Sequence, residues 1–105
     1  MARGDLVVVS LPGDYGKPRP ALVIQSDLFR DHPSVTVLPI TTHLVDAPLL
    51  RVDAPGESGV RQPSQIQIDK LQTTRRERIG QVIGHVDDRT LIRVIRMLAV
   101  FLGLV

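Results

Sequence analysis

The sequence predicts a mainly β domain with a C-terminal helix, folded as a small twisted antiparallel sheet or a partly closed barrel. Several short runs rich in β-branched residues follow one another, separated by segments rich in glycine and proline. The last segment has the three-and-four apolar spacing of a helix instead. Because 105 residues are too few for two separately cored domains, we expect one domain over residues 1–105.

The first half of the chain contains three predicted strands. Residues 6–11 form a β-branched run that ends at loop 12–18, whose glycines and prolines oppose regular structure. Residues 20–25 form a second apolar run. Residues 35–41 form the third strand, and Pro39 within it cannot donate a ladder hydrogen bond, so we expect a sheet edge or a bulge there.

Three more strands are predicted in the second half. Residues 49–52 are a strand candidate, followed by the turn-rich connection 53–59. Residues 64–71 alternate between polar and apolar side chains, as a half-buried strand does, and residues 79–86 are apolar again. The chain therefore reaches its final segment as a series of short strands.

The final segment has the pattern of a capped amphipathic helix. Its apolar residues recur at spacings of three and four from Leu91 to Leu102. Asp87 and Asp88 precede this stretch and Gly103 follows it, which matches the residue types found at helix ends. The polar face carries three arginines: Arg89, Arg93 and Arg96.

Composition excludes several classes of function. The chain has no cysteine, which rules out a disulfide scaffold, a thiolate metal site and a cysteine nucleophile. No apolar run reaches the ~20 residues of a membrane span, and no signal peptide precedes the first strand, so we expect a cytoplasmic protein with no membrane partner. Three aromatic residues are too few for base-stacking platforms, but the net charge of +2 rests mostly on arginine, which suits phosphate.

Four blocks of the sequence carry a resemblance to a known family: residues 3–7, 16–25, 40–41 and 83–88. Together they resemble the MazF/PemK/Kid family of toxins from bacterial toxin–antitoxin systems. The resemblance implies an SH3-like small barrel shared with toxins of the CcdB type, a homodimer, and a cognate antitoxin whose disordered acidic or amphipathic segment covers the toxin. It also implies sequence-specific, metal-independent cleavage of single-stranded messenger RNA, which leaves a 2′,3′-cyclic phosphate and a 5′-OH and inhibits translation and growth.

Three residues are candidate catalytic groups. RNA cleavage without a metal needs a base for the 2′-OH, an acid for the leaving oxygen and a cation for the charged phosphorane. The resemblance implies that Arg19 is the main catalytic arginine, and the prolines on both sides of it restrict its backbone. The resemblance also carries over Thr41, as a phosphate-holding hydroxyl, and Asp69, as an acid–base or substrate-contacting group. Their structural alternatives are a threonine favoured in a strand and an aspartate that starts a turn.

Further residues are candidate RNA contacts. Lys17 belongs to the second family block and lies within loop 12–18, which is expected to shape the RNA groove. Thr42 competes with Thr41, because adjacent strand residues point to opposite faces and only one should reach the site. Gln67 stands where certain family members carry an arginine, and glutamine donates hydrogen bonds but cannot neutralise a phosphorane.

Histidines and one strongly basic stretch are the remaining candidate contacts. His43 is close enough in sequence to the threonine pair to contact RNA. The three histidines lack the short spacing of a zinc site, so we expect no metal and no cofactor. Arg75 and Arg76 begin a basic run that is either a solvated hairpin end or an electrostatic lip for RNA or an acidic antitoxin.

Two alternative functions stay open at this point. A non-enzymatic poison of the CcdB type would bind DNA gyrase through the terminal helix, with Leu98 and Phe101 facing the partner. The blocks around Arg19 and Thr41 disfavour this function, because gyrase poisoning needs neither residue. A catalytically inactive SH3-like binding module is the second alternative, and Gln67 is the residue that keeps it open.

Overall fold

A computed structural model describes residues 1–11 and 17–105. In this part of the chain it has seven strands and one α-helix. They are β1 (Asp5–Ser10), β2 (Pro18–Val23), β3 (Ser34–Thr41), β4 (Arg51–Ala54), β5 (Ser64–Gln67), β6 (Gln72–Arg75), β7 (Ile79–His85) and α1 (Asp88–Phe101). The prediction of a mainly β domain with a C-terminal helix is confirmed. Most of the predicted groove-shaping loop, residues 12–16, lies outside the described residues.

All strands pair antiparallel, and β3 lies in the interior of the sheet. The strand order is β4-β5-β3-β2-β1-β7, with β6 pairing to β3 as well. The end strands β4 and β7 do not pair with each other among the described residues, so the sheet is twisted and open. The twisted-sheet form of the prediction therefore describes this fold, and closure into a barrel does not occur in this part of the chain.

Pro39 does not mark a sheet edge, so that part of the prediction is wrong. Residues 34–37 of β3 pair with β6, whereas residues 40–41 pair with β5. Pro39 falls between these two ladders. A residue without an N–H fits this position because the strand changes partner there.

The continuous strand predicted over residues 64–71 is also wrong. β5 ends at Gln67, a 3₁₀ turn covers Ile68–Lys70, and β6 begins at Gln72. Ile66 and Ile68 are both fully buried at 0% exposure, so the polar–apolar alternation continues through the turn. The alternation therefore did not indicate the end of the strand at Gln67, because it reflects which side chains are buried and not the backbone conformation.

Two apolar clusters cover the two faces of the sheet. Alternate residues of a strand point to opposite faces, and Leu6 and Val7 accordingly belong to different clusters. The larger cluster packs against α1 through Val94, which is fully buried. Leu22 and Leu38 lie in the same cluster and are directly paired across β2 and β3. The helix is thus fastened to one face of the sheet.

Both predicted helix caps are present. The Asp87 carboxylate accepts a hydrogen bond of 2.9 Å from the Thr90 backbone N–H. Hydrogen bonds with the side chain and the backbone of Thr90 lower the pKa of Asp87. At the other end, Gly103 has a φ of 72°, and the Leu104 N–H donates to the Ala99 carbonyl at 2.8 Å. These caps fix where α1 begins and ends.

Candidate functional site

A cleft of about 320 Å³ lies where the end of β3 meets β2 and the turn between β5 and β6. Its polar lining comes from six side chains: Arg19, Thr41, Thr42, Gln67, Lys70 and Gln72. Among the described residues that line it there are two cations and no carboxylate. Cations with hydroxyl and amide donors make a site for an anion such as phosphate.

The strand pairing explains why Arg19 reaches this cleft. On one side of β2, Arg19 is paired with Val9 of β1. On the other side, pairing to β3 begins only at Ala21, which lies opposite Pro39. Arg19 is therefore in the part of β2 that extends beyond its ladder with β3, and it is exposed to solvent. Its neighbours in sequence are prolines, which keep the backbone extended there.

Both threonines line the cleft, so the expectation that only one could reach it is wrong. Thr41 is the last residue of β3, and the chain bends at Thr42, which ends the strand alternation. The Thr41 hydroxyl oxygen accepts a hydrogen bond of 3.1 Å from the His43 backbone N–H. Because a hydroxyl both accepts and donates, this bond leaves its proton able to point at a ligand.

The turn between β5 and β6 contributes residues that sequence reasoning missed. Gln67, Lys70 and Gln72 all line the cleft, and of these three the sequence analysis predicts only Gln67 as a contact. Asp69 is half-buried and does not line the cleft. With a strand through residue 71, Asp69 would share the face of Gln67, but the 3₁₀ turn rotates the chain and puts Lys70 there instead. Lys70 was missed because the sequence analysis did not predict this turn.

Two other predicted contacts lie outside the cleft lining. Lys17 is exposed just before β2. His43 is exposed next to the threonine pair, and its carbonyl accepts a hydrogen bond of 3.1 Å from Arg51. The role of both side chains in RNA binding stays a prediction.

Arg75 and Arg76 belong to a different part of the surface. Arg75 is exposed and lies 3.8 Å from the Glu77 carboxylate. The Arg76 guanidinium donates to the backbone carbonyls of His32, at 3.0 Å, and Arg30. Arg76 thus ties the segment before β3 to the end of β6. Neither arginine lines the cleft, and their contact with RNA stays a prediction.

Within residues 1–11 and 17–105, no three histidine or carboxylate side chains are grouped to hold a metal ion. In the same residues, no helix has the length and apolar character needed to span a membrane.

The sequence profile of the family described as PemK-like, MazF-like toxin of type II toxin–antitoxin system matches residues 2–102. This chain belongs to that family. The MazF-like toxin is 41% identical over 107 residues to the probable endoribonuclease MazF of Mycolicibacterium smegmatis, which covers 99% of this chain and 98% of that protein. It is 31% identical over 111 residues to the endoribonuclease EndoA of Bacillus subtilis, which covers 98% and 95%.

A solved structure supports the fold of this MazF-like toxin. An endoribonuclease in complex with its cognate antitoxin, from mycobacterial species, matches it with a TM-score of 0.84 at 21% identity. The match covers 100% of this chain and 97% of that chain. This structural match confirms the fold, and the family match over residues 2–102 confirms the resemblance seen in the sequence blocks.

Proposed function

We propose that this toxin is a sequence-specific endoribonuclease that cleaves single-stranded messenger RNA without a metal ion. The observation that carries the proposal is the cleft that joins Arg19, Lys70 and the Thr41 hydroxyl with no carboxylate among its described lining residues. Such a cleft suits a phosphodiester, whose negative charge increases as the phosphorane forms. The two relatives named as endoribonucleases support the same activity. A CcdB-like gyrase poison and an inactive binding module are therefore not favoured.

The reaction divides among the cleft residues as follows. The ribose 2′-OH attacks the adjacent phosphorus and the 5′-oxygen leaves, which gives a 2′,3′-cyclic phosphate and a 5′-OH. Arg19 donates two parallel hydrogen bonds to the non-bridging oxygens and stabilises their growing charge. Thr41 donates a third, since its oxygen is already held by the His43 N–H. Lys70 adds a second positive charge at the same cleft.

Asp69 is the proposed acid–base group, because a carboxylate can accept the 2′-OH proton, while solvent water in the open cleft donates the proton that the leaving 5′-oxygen takes. It lies in the 3₁₀ turn beside Lys70 but does not line the cleft. We therefore expect Asp69→Asn to reduce turnover less than Arg19→Ala does. A larger loss for Asp69→Asn would show that the carboxylate enters the cleft when RNA binds.

The remaining predicted contacts bind the RNA around the reacting phosphate. Thr42 and Gln67 line the cleft and can hydrogen-bond to the sugar or a base edge. Lys17, His43 and the pair Arg75–Arg76 lie outside the cleft lining, and we propose that they contact phosphates further along the strand. Certain family members carry an arginine at the position of Gln67, where this chain has a neutral hydrogen-bond donor. Arg19 and Lys70 therefore supply the positive charge of the cleft.

The proposed partners are a cognate antitoxin and a second copy of the toxin. The end of α1 and the residues after it expose large apolar side chains: Val100, Phe101, Leu102, Leu104 and Val105. Large apolar side chains exposed together at one end of the chain are typical of a protein contact. A disordered acidic or amphipathic antitoxin segment would cover the cationic cleft. We place the activity in the cytoplasm, where its messenger RNA substrate is translated.

Cleavage of a defined single-stranded RNA by the purified toxin tests this function. Arg19→Ala should lower turnover at least ~100-fold, because it removes the main donor to the phosphorane. The matched control is Arg93→Ala, which removes an exposed arginine from α1, outside the cleft. Circular dichroism confirms that both variants fold. Wild-type turnover in Arg19→Ala would remove this residue from the mechanism and contradict the proposal.

A further inference from the structure

A second cleft of about 730 Å³ adjoins the first. Arg19, Pro20 and Thr42 line both clefts, so the two spaces meet at the residue that is proposed to hold the scissile phosphate. The second cleft is also lined by β7 and by the segment between the Gly56–Ser58 turn and β5, here called the 59–63 loop. Two exposed side chains of this loop, Arg61 and Gln62, supply polar groups to the lining.

The base of the 59–63 loop is fixed against β7 by close backbone contact. A Cβ placed on Gly84 would lie 1.8 Å from the Ser58 carbonyl oxygen. Gly59 has a φ of 114°, and a Cβ there would lie 2.5 Å from the Ile83 carbonyl oxygen. Ser58 is buried, and its hydroxyl donates to the Pro55 carbonyl. The start of the loop therefore has a set position relative to the sheet, and Arg61 follows two residues after Gly59.

The chemistry of the second cleft matches that of a flanking nucleotide. Among the described residues that line it, there is neither a carboxylate nor an aromatic ring. A base held there is not stacked on an aromatic side chain, so its recognition depends on hydrogen bonds to its edge. The Gln62 amide both donates and accepts, as recognition of an unpaired base edge requires. The Arg61 guanidinium suits a phosphate.

We propose that the second cleft binds a nucleotide next to the cut site, with Arg61 on a flanking phosphate and Gln62 on the base edge. The inference rests on the proposed function, because it takes Arg19 as the position of the scissile phosphate. RNA continues on both sides of that phosphate, and the second cleft is continuous with the first through Arg19 and Thr42. Gln62 is therefore a specificity-determining residue, and Arg61 a substrate-binding one.

The arginine groove on α1 supplies a matched control. This groove is lined by Arg89, Arg93 and Arg96, and it shares no lining residue with either of the two clefts. Arg93→Ala therefore removes the same charge as Arg61→Ala without touching the proposed RNA path. A difference in RNA binding between these two variants is therefore due to the position of the arginine and not to the net charge of the protein.

The test compares wild type, Arg61→Ala, Gln62→Ala and Arg93→Ala on single-stranded RNAs that differ only beside the cut site. Arg61→Ala should raise KM about 10-fold and leave kcat within about 2-fold of wild type. The plot of log affinity against log salt should become less steep by ~0.7, because one phosphate contact is lost. Gln62→Ala should reduce the discrimination between the preferred and the replaced flanking base about 10-fold. Arg93→Ala should match wild type. The inference is overturned if Arg61→Ala matches Arg93→Ala, or if Gln62→Ala keeps the wild-type base preference.

Fluorescence anisotropy measures binding to a 2′-O-methyl version of the same strand, and this measurement separates the two proposals. This strand cannot be cleaved by 2′-OH attack, so it reports binding alone. If the wild type cleaves RNA but Arg61→Ala and Arg93→Ala have equal salt slopes, the second cleft is not an RNA site and the proposed function stands. The opposite result is also possible: the wild type does not cleave RNA, and among the variants only Arg61→Ala has a smaller dependence of affinity on salt. In that case the proposed function fails and the RNA site stands.

Discussion

Replacing Gly84 by alanine is expected to push the 59–63 loop away from β7. The new Cβ would lie 1.8 Å from the Ser58 carbonyl oxygen, and side-chain Cβ atoms essentially never approach other heavy atoms closer than 3.0 Å. The obstructing atom belongs to the backbone, so a rotamer change cannot relieve the contact. The backbone of the loop base and β7 must therefore separate by about 1.2 Å.

The free-energy cost follows from this displacement. Overpacking of a tight contact costs about 1–3 kcal/mol, and a backbone obstruction belongs at the upper end of that range. A loss of about 3 kcal/mol lowers the Tm of a domain of this size by ~12 °C. Because the 59–63 loop moves with Ser58, Gly84→Ala should also raise KM for RNA, as Arg61→Ala does.

Urea unfolding of Gly84→Ala and Gly56→Ala measures the effect against a matched control. Gly56 lies in the turn that packs on β7, and a Cβ there meets nothing within 4 Å. Gly56→Ala should therefore be neutral, or stabilise by up to ~1 kcal/mol through reduced freedom of the unfolded chain. Equal unfolding free energies for the two variants, with unchanged m-values, would refute the claim that this contact fixes the loop.

Three further predictions concern the site, the core and the helix cap. Thr41→Val should lower kcat at least ~10-fold by removing a donor to the phosphorane, whereas Thr42→Val should raise KM with kcat nearly unchanged; steady-state kinetics distinguishes them. Leu22→Ala should destabilise the fold by ~3 kcal/mol in urea unfolding, because Leu22 is 0% exposed. Because folding lowers the pKa of Asp87, its contribution to stability should be full above the unfolded value of about 3.9 and vanish as pH falls through the folded value. Asp87→Asn should flatten that part of the curve of unfolding free energy against pH, and an unchanged curve contradicts the assignment.

Local signals in the sequence were sufficient for the terminal helix and for most of the strands, but not for β6, Gln72–Arg75, which no predicted strand covered. The apolar spacing after residue 90 and the caps at Asp87 and Gly103 are properties of the segment itself, and both caps form. The turn at Ile68–Lys70 could not be found in this way. Ile66 and Ile68 are both buried, so the alternation of a strand persists where the backbone has already turned.

The cleft was only partly foreseeable. The structure brings Arg19, Thr41 and Gln67 to one cleft, as the family resemblance suggested, although their chemical roles stay predictions. Lys70 was missed as a direct consequence of the missed turn. Arg61 was missed because its position depends on contact between the loop base and β7, about 25 residues later in the chain. No local pattern of residues records such a contact.

The ends of the RNA fragments test the central claim most directly. Wild-type toxin is incubated with a defined single-stranded RNA in excess EDTA, and both ends of each fragment are identified by mass spectrometry. Attack by the 2′-OH within the cationic cleft predicts a 2′,3′-cyclic phosphate on one fragment and a 5′-OH on the other. Fragments that carry a 5′-phosphate, or complete loss of cleavage in EDTA, would contradict the mechanism.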